Sequence, residues 1–309
     1  EKDDVILGVV SPVVGGKQKP DARFDSDSRK ALSAAITEAE KKENGGKLVL
    51  NIWRKGKTQP ATLTLKVMGT FSNSTPWECE KTTALIEAAS QSILKRGLFE
   101  KTRSGAEKRR GIDGSLDALG LLATGEAKYL PEIQRYARAV GDPKKKYDLF
   151  GEGMNAWHGS YTNIFLTEYY LLTKDDYVLP AIREISQTIA MGRSGVGTWS
   201  HGMSIPAHND GKLYGMAAAY GMMNQTSLSC TISLVMAQKC GIDSPEITEA
   251  IKMYTSFCRW WADKGTVPYG DHTPTLVHDG NGKNSQAAVL FDLVGDKETA
   301  NYFSRMALS

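Results

Sequence analysis

The chain has 309 residues, of which 41% are apolar, and its formal net charge is +3. This length predicts two domains with ordinary apolar cores. The small charge, with Lys and Arg dispersed among acids, argues against nucleic acid as a partner, and no run of eighteen apolar residues predicts a transmembrane segment.

The start of the chain bears on its location. It opens EKDD, without a Met or a hydrophobic leader, so we expect a processed chain or part of a longer one whose signal has been removed. Four cysteines are too few for a disulfide framework, and their spacing does not indicate a zinc site. The sequence indicates no particular cofactor or oligomeric state, and we expect a periplasmic or secreted location.

The first seventy residues predict a small α+β module. Residues 4–9 read as a short apolar strand, and residues 26–42 as a helix capped by Asp25 or Asp27. Two further strands are predicted at 47–54 and 62–69, joined by a turn at Lys55-Gly56-Lys57. Alternation in the second of them predicts one buried face, formed by Leu63, Leu65 and Val67.

This order of elements resembles the C-terminal half of a PDZ domain. The matching residues are Asp4 to Val9, the helix around Ala31 to Ala39, and the run from Trp53 to Lys57. The resemblance implies that a peptide could add as a strand beside the helix, although the glycine-containing carboxylate loop would lie upstream of Glu1. A half-domain that only packs against its neighbour is the alternative. We assign residues 1–70 to this PDZ-like module.

The rest of the chain repeats one pattern four times. An apolar helix ends at a Gly or Lys turn and a second, capped helix follows, which predicts helical hairpins. The turns, at Gly125, Lys174, Gly241 and Gly295, are unevenly spaced. Solenoid repeats are more even, whereas a closed ring of hairpins tolerates long inserts at one rim.

These hairpins resemble the α/α-toroid proteins, which include terpene cyclases and many polysaccharide lyases. Together with the PDZ-like module, the chain is similar to an uncharacterised bacterial family in which a PDZ domain precedes a toroid. The resemblance implies a mainly α fold, with an incomplete toroid over residues 77–309. The motifs that carry it are Trp77-Glu78-Cys79, Gly111-Ile112-Asp113-Gly114, Trp199-Ser200-His201, Pro268-Tyr269-Gly270-Asp271-His272 and Gly282-Lys283-Asn284.

Polar residues that could form a site cluster in two long inserts, 195–221 and 264–284, and at the start of one inner helix. In a ring these segments would collect on one rim around the cavity. The candidate catalytic residues are His272, Tyr214, Asp271 and His201. The candidate substrate-binding residues are Asn209, His208, His158 and Trp199.

Three functions compete for these residues. A glycan lyase needs a group that neutralises a uronate carboxylate and a Tyr or His that moves protons, so His272 and Tyr214 would be the acid and base. In that mechanism Asp271 orients His272, while His201 and Asn209 orient the substrate. A metal site would use His and Asp from both inserts, but no ligand spacing supports it. A non-catalytic scaffold that binds a polymeric ligand, glycan or peptide, is the third. A terpene cyclase is disfavoured because no D-x-D-D motif is present.

Overall fold

A computed structural model describes residues 2–13, 23–25, 27–101, 104–105, 107–109, 111–144, 153–204, 210–215, 221–270 and 283–308. The chain divides into two compact units, an N-terminal unit, Glu1–Ser92, and a C-terminal unit, Ile93–Ser309. The predicted boundary, between residues 70 and 77, lies upstream of this division. The predicted mainly helical class is confirmed, since the described part of the chain contains ten α-helices and a small three-stranded sheet.

The N-terminal unit is a three-stranded antiparallel sheet, in the order β1-β2-β3, covered by one helix. Its core forms where Leu48, Leu50 and Ile52 of the central strand pack against Ala35 and Ala39 of that helix. The elements are β1 (Val5–Ser11), α1 (Ser28–Ala39), β2 (Lys47–Arg54) and β3 (Lys57–Thr64). The next helix, α2 (Glu80–Arg96), begins in this unit and ends in the C-terminal one.

Two of the residues that resemble the PDZ pattern fasten this sheet. Asp4, just before β1, and Arg54, at the end of β2, form a two-pronged ion pair with N–O distances of 2.7 and 2.5 Å. The Arg54 guanidinium holds the pKa of the Asp4 carboxyl far below its usual range. Asp27 caps α1 by accepting from the backbone N–H groups of Arg29 and Lys30, as one of the two predicted caps.

The predicted third strand was wrong in position and in burial. Lys55 and Gly56 both have positive φ, at 49° and 80°, and Arg54 pairs directly with Lys57. A two-residue turn of this kind starts the next strand at once, so β3 covers residues 57–64 instead of 62–69. Its predicted buried face is present only in part, because Leu65 packs against the core whereas Leu63 is 46% exposed and Val67 is 43% exposed.

Cys79 immediately precedes α2 and is surrounded by hydrogen-bond donors. The hydroxyls of Thr75 and Thr82 and the backbone N–H groups of Ser72 and Thr82 stabilise the thiolate, which lowers its pKa to about 6. Burial raises the pKa of the thiols of Cys240, to about 11, and of Cys258, to about 12. Cys79 is therefore the thiol of this group that ionises at neutral pH.

We expect iodoacetamide to modify Cys79 at a rate that is half-maximal near pH 6, although the residue is only 4% exposed. Because its pKa is lower in the folded than in the unfolded state, its contribution to stability is complete above the unfolded pKa and is lost as the pH falls through about 6. Peptide mapping after brief alkylation at several pH values measures the rate. Alkylation that begins only above pH 8, or that is unchanged in Cys79→Ser, would contradict the prediction.

The C-terminal unit contains the four predicted hairpins. In each, a helix ends at a short turn and the next helix packs back against it. A two-stranded antiparallel hairpin, β4 with β5, precedes them. The elements are β4 (Phe99–Lys101), β5 (Glu107–Arg109), α3 (Ile112–Ala123), α4 (Leu130–Val140), α5 (Asn155–Thr173), α6 (Leu179–Met191), α7 (Asn224–Lys239), α8 (Pro245–Arg259), α9 (Lys283–Leu293) and α10 (Lys297–Leu308).

The first helices of successive hairpins pack side by side and run parallel. Ser115 of α3 faces Thr162 of α5, with 3.4 Å between their hydroxyl oxygens. From α5 to α7, Ser160 meets Ser229 at 3.0 Å and the Asn163 amide donates to the Ser233 carbonyl. Residue numbers rise together along both interfaces, so these helices begin at one end of the unit.

Helix α7 is buried nearly all round although it is rich in Ser and Thr. Its hydroxyls donate to carbonyls of the preceding turn, as Ser227 does to Met223 at 2.7 Å and Thr231 to Ser227 at 2.8 Å. Small side chains that satisfy their own polar groups let neighbouring helices approach closely. An apolar, amphipathic stripe is therefore unnecessary in a helix packed on several sides.

Candidate functional site

The helices α3, α5, α7 and α9 begin at the same end of the C-terminal unit, which we call the inner-helix end. Contacts between the first two turns of these helices define it. A Cβ at Gly111, just before α3, would lie 3.3 Å from the ring of His158 in α5. Asn224 and Asn284, in the first turns of α7 and α9, bond to the same segment, residues 266–270. Helix N-termini present unpaired N–H groups and positive dipole ends, so this end favours negative charge.

A loop from Gly192 to Ser204, which includes the start of the first insert, closes at this end. The Ser204 amide donates to the Gly192 carbonyl at 2.7 Å, and the Ser194 amide to the Thr198 carbonyl at 2.8 Å. Trp199 anchors the loop because its side chain is completely buried and its indole donates to the Ile189 carbonyl at 2.9 Å. Trp199 thus offers no surface to a ligand, and we do not retain it as a substrate-binding residue.

His201 lies in the same loop and is held by α5. The Trp157 indole donates to His201 Nδ1 at 2.9 Å, and the Ala156 amide donates to the His201 carbonyl at 3.0 Å. The Trp157 indole is also stacked with the His201 imidazole, with ring centres 6.2 Å apart. The same indole stacks with the ring of Tyr161, with ring centres 6.1 Å apart. An indole N–H can only donate, so Nδ1 accepts and the proton of neutral His201 resides on Nε2.

His158 follows Trp157 on the same helix turn. It is exposed, and its ring rests against the backbone of Gly111. Partial burial of the ring lowers its pKa, which favours the neutral imidazole. His158 is thus the neighbour of Trp157 in sequence, whereas His201 contacts the Trp157 indole directly.

Tyr214 lies in the later part of the first insert, against the closed loop. The Gly195 amide donates to the Gly215 carbonyl at 3.0 Å, and the Arg193 guanidinium carbon lies 3.9 Å from the centre of the Tyr214 ring. Tyr214 has a φ of 64°, a conformation that bulky residues rarely adopt and that needs support from its surroundings. Tyr214 and Arg193 therefore form a fixed aromatic and cationic pair.

The second insert is fastened by a buried asparagine that the sequence did not single out as a site residue. Asn224, at the start of α7, donates from Nδ2 to the carbonyls of Pro268, at 3.0 Å, and Gly270, at 2.9 Å. Its Oδ1 accepts from the Tyr254 hydroxyl at 2.9 Å, and its amide donates to the Tyr269 carbonyl. Asn224 is completely buried, so the N-x-T sequon at this position offers no glycosylation site in the folded chain.

A second asparagine, at the start of α9, makes similar hydrogen bonds to the second insert. Asn284 Oδ1 accepts from the Thr266 hydroxyl at 3.0 Å and from the Val267 amide at 2.9 Å. Residues 266–270 are therefore held by the first turns of two inner helices.

Residues 90–309 match the model of a domain of unknown function, DUF6288. The match covers all four hairpins. The chain belongs to the DUF6288 family. No curated protein and no solved structure matches it. The match begins near the start of the C-terminal unit, so the inner-helix end belongs to the DUF6288 domain.

The structure places three of the predicted site residues of the DUF6288 domain at or beside the inner-helix end. His158 and His201 adjoin Trp157, and Tyr214 packs beside the loop that carries His201. Of the five remaining predicted residues, Trp199 is buried in that loop. The other four lie outside the described residues, and they are His208, Asn209, Asp271 and His272.

Sequence reasoning missed Arg193 and Asn224, which have central positions in this geometry. A signal existed for Asn224, because Asn at a helix start commonly bonds to nearby backbone. For Arg193, the signal was its place just after the helix stop at Gly192. Within the described residues, no three His, Cys, Asp or Glu side chains are grouped so that they could hold a metal ion. In the same part of the chain, none of the helices is both long and apolar enough to cross a membrane.

Proposed function

We propose that the DUF6288 domain binds a uronate-containing glycan at the inner-helix end and cleaves it by β-elimination. The observation that carries this proposal is the fixed imidazole of His201, which stacks on Trp157 at the positive end of a set of parallel helices, while Trp157 in turn stacks on Tyr161. Aromatic faces bind sugar rings, and helix N-termini favour an anionic group. In this proposal the four hairpins form part of an α/α toroid whose cavity opens at that end, and the protein acts outside the cytoplasm.

The tautomer of His201 defines its role in the proposed reaction. With Nδ1 accepting from Trp157, Nε2 bears the proton and donates a hydrogen bond to the substrate. In β-elimination a base removes the proton on the carbon next to the uronate carboxyl, negative charge develops on that carboxyl, the bond to the leaving oxygen breaks, and a carbon–carbon double bond forms. A donor aimed at the developing charge stabilises this transition state. His201 is thus an orienting and charge-stabilising group.

Proton transfer in this mechanism falls to other residues. We assign the proton removed from the sugar and the proton delivered to the leaving oxygen to Tyr214 and His272, with Asp271 orienting His272. Tyr214 packs beside the loop that contains His201, which supports its inclusion. Asn209, His208 and His158 remain candidates for contacts with the sugar.

The test is a panel of polymers. We expect the protein to bind polygalacturonate, alginate or hyaluronan more tightly than a neutral glucan, and to release products whose new double bond absorbs in the ultraviolet. Failure to bind or cleave any uronate polymer would contradict the proposal. The neutral glucan is the control for non-specific retention.

A groove in the N-terminal unit favours a second function, peptide binding by a PDZ-like module. The groove has a volume of about 340 Å³ and runs between β1 and α1, where Val9, Phe24, Ala31 and Ala34 supply apolar walls. The Phe24 amide donates to the Leu7 carbonyl, so β1 already accepts one added backbone segment. In the same binding assay, preference for a peptide with a free carboxyl terminus over both its amidated form and every glycan would favour this scaffold function.

A further inference from the structure

Arg193 is buried at the inner-helix end, where none of the described residues gives it a carboxylate partner. Its side chain and backbone together are only 6% exposed, and its Nε has no hydrogen-bond partner among the described residues. No ion pair joins it to any acid in that part of the chain. A guanidinium stays charged at every accessible pH, and burial of an unpaired charge is strongly unfavourable.

The surroundings of Arg193 stabilise the cation but leave its donors unused. The Tyr214 ring lies against the guanidinium, 3.9 Å from its carbon atom, and attracts the charge through its π face. Ser204, whose amide bonds to the residue before Arg193, also has a buried hydroxyl without a partner among the described residues. The aromatic face therefore positions the planar fork of N–H groups without satisfying it.

We propose that Arg193, supported by Tyr214, binds a carboxylate or sulfate group of the ligand. A guanidinium fork matches such oxyanions through two parallel N–H···O bonds. The inference rests on the proposed function only in taking that group to belong to a glycan. In a β-elimination the same contact would neutralise the uronate carboxyl group, on which negative charge develops.

The experiment compares thermal unfolding of the whole chain with and without small anions. The variant is Arg193→Met, and the matched control is Arg183→Met, which removes an exposed arginine from α6. The probes are galacturonate, sulfate and neutral galactose. At about five times Kd, we expect the better anion to raise the unfolding midpoint of the wild type by about 2–4 °C.

We expect this rise to be unchanged in Arg183→Met and lost in Arg193→Met, with no response to galactose. Without ligand, Arg193→Met should unfold at the same temperature as wild type or higher, because an unpaired buried charge has been removed. Arg193→Lys keeps the charge without the fork and should lose at least half of the rise. A response to sulfate but not to galacturonate would support the oxyanion site and assign it to a sulfate group instead of a carboxylate.

Three outcomes would overturn the inference. The first is a lower midpoint for ligand-free Arg193→Met, which would mean that Arg193 is paired within the chain. The second is an anion response that persists in that variant. The third is the absence of an anion response in the wild type. A protein that cleaves uronate polymers with an Arg193-independent anion response would retain the proposed function and lose this inference. Arg193-dependent anion binding without cleavage would support this inference and contradict the proposed function.

Discussion

Replacing His201 with alanine is expected to lower kcat for cleavage of a uronate polymer by about 10²–10³-fold, because a donor aimed at the developing charge is removed. KM should change much less, since this contact strengthens in the transition state. Initial rates of ultraviolet absorbance with purified variant and wild type measure both parameters. If kcat/KM fell by the same factor through a higher KM with kcat unchanged, His201 would act in ground-state binding instead.

The matched control for this prediction is Trp157→Phe. Phenylalanine keeps an aromatic ring beside His201 but lacks the indole N–H that bonds to Nδ1. Loss of one hydrogen bond that sets the tautomer is expected to lower kcat by about tenfold, which is less than removal of the imidazole itself. Wild-type activity in Trp157→Phe would show that the tautomer of His201 is irrelevant to the reaction.

Replacing Asn224 with alanine is expected to lower the free energy of unfolding by about 3 kcal/mol, because several buried polar groups lose their partners together. The carbonyls of Pro268 and Gly270 and the hydroxyl of Tyr254 would each lose a bond. Chemical denaturation followed by circular dichroism measures the change.

Asn73→Ala is the control for the Asn224 variant. Asn73 is the asparagine of the other N-x-S/T sequon, and it is exposed. Its replacement should alter the free energy of unfolding by no more than about 0.5 kcal/mol. Similar effects of the two variants would mean that the hydrogen bonds of Asn224 contribute little to stability.

The four hairpins could be predicted because their signals are local. Apolar spacing of 3.6 residues indicates a helix, and stops such as Gly125 and Gly295 mark the turns. The third strand could not be placed in this way, since the turn at Lys55 and Gly56 determines its start and pairing with β2 determines its register. Alternation alone then predicted that Leu63 of this edge strand is buried, whereas it is exposed and its neighbour Ala61 packs against the core instead.

The candidate site was only partly predictable, because its contacts join residues far apart in sequence. His201 was singled out as a histidine in an insert, but nothing in the sequence paired it with Trp157, 44 positions earlier. Trp199 was chosen for its aromatic character and is instead a core residue. Arg193 was missed because an arginine after a helix is ordinarily a solvated one, and only the fold buries it.

The parallel alignment of the inner helices also affects how a ligand arrives. Dipoles that point the same way add, so the field of the unit extends beyond the side chains at its surface. An anionic polymer would be drawn toward the inner-helix end before any contact forms, and salt would weaken that attraction over a distance of about 8–10 Å at physiological ionic strength. The association rate, more than the dissociation rate, should therefore fall as ionic strength rises.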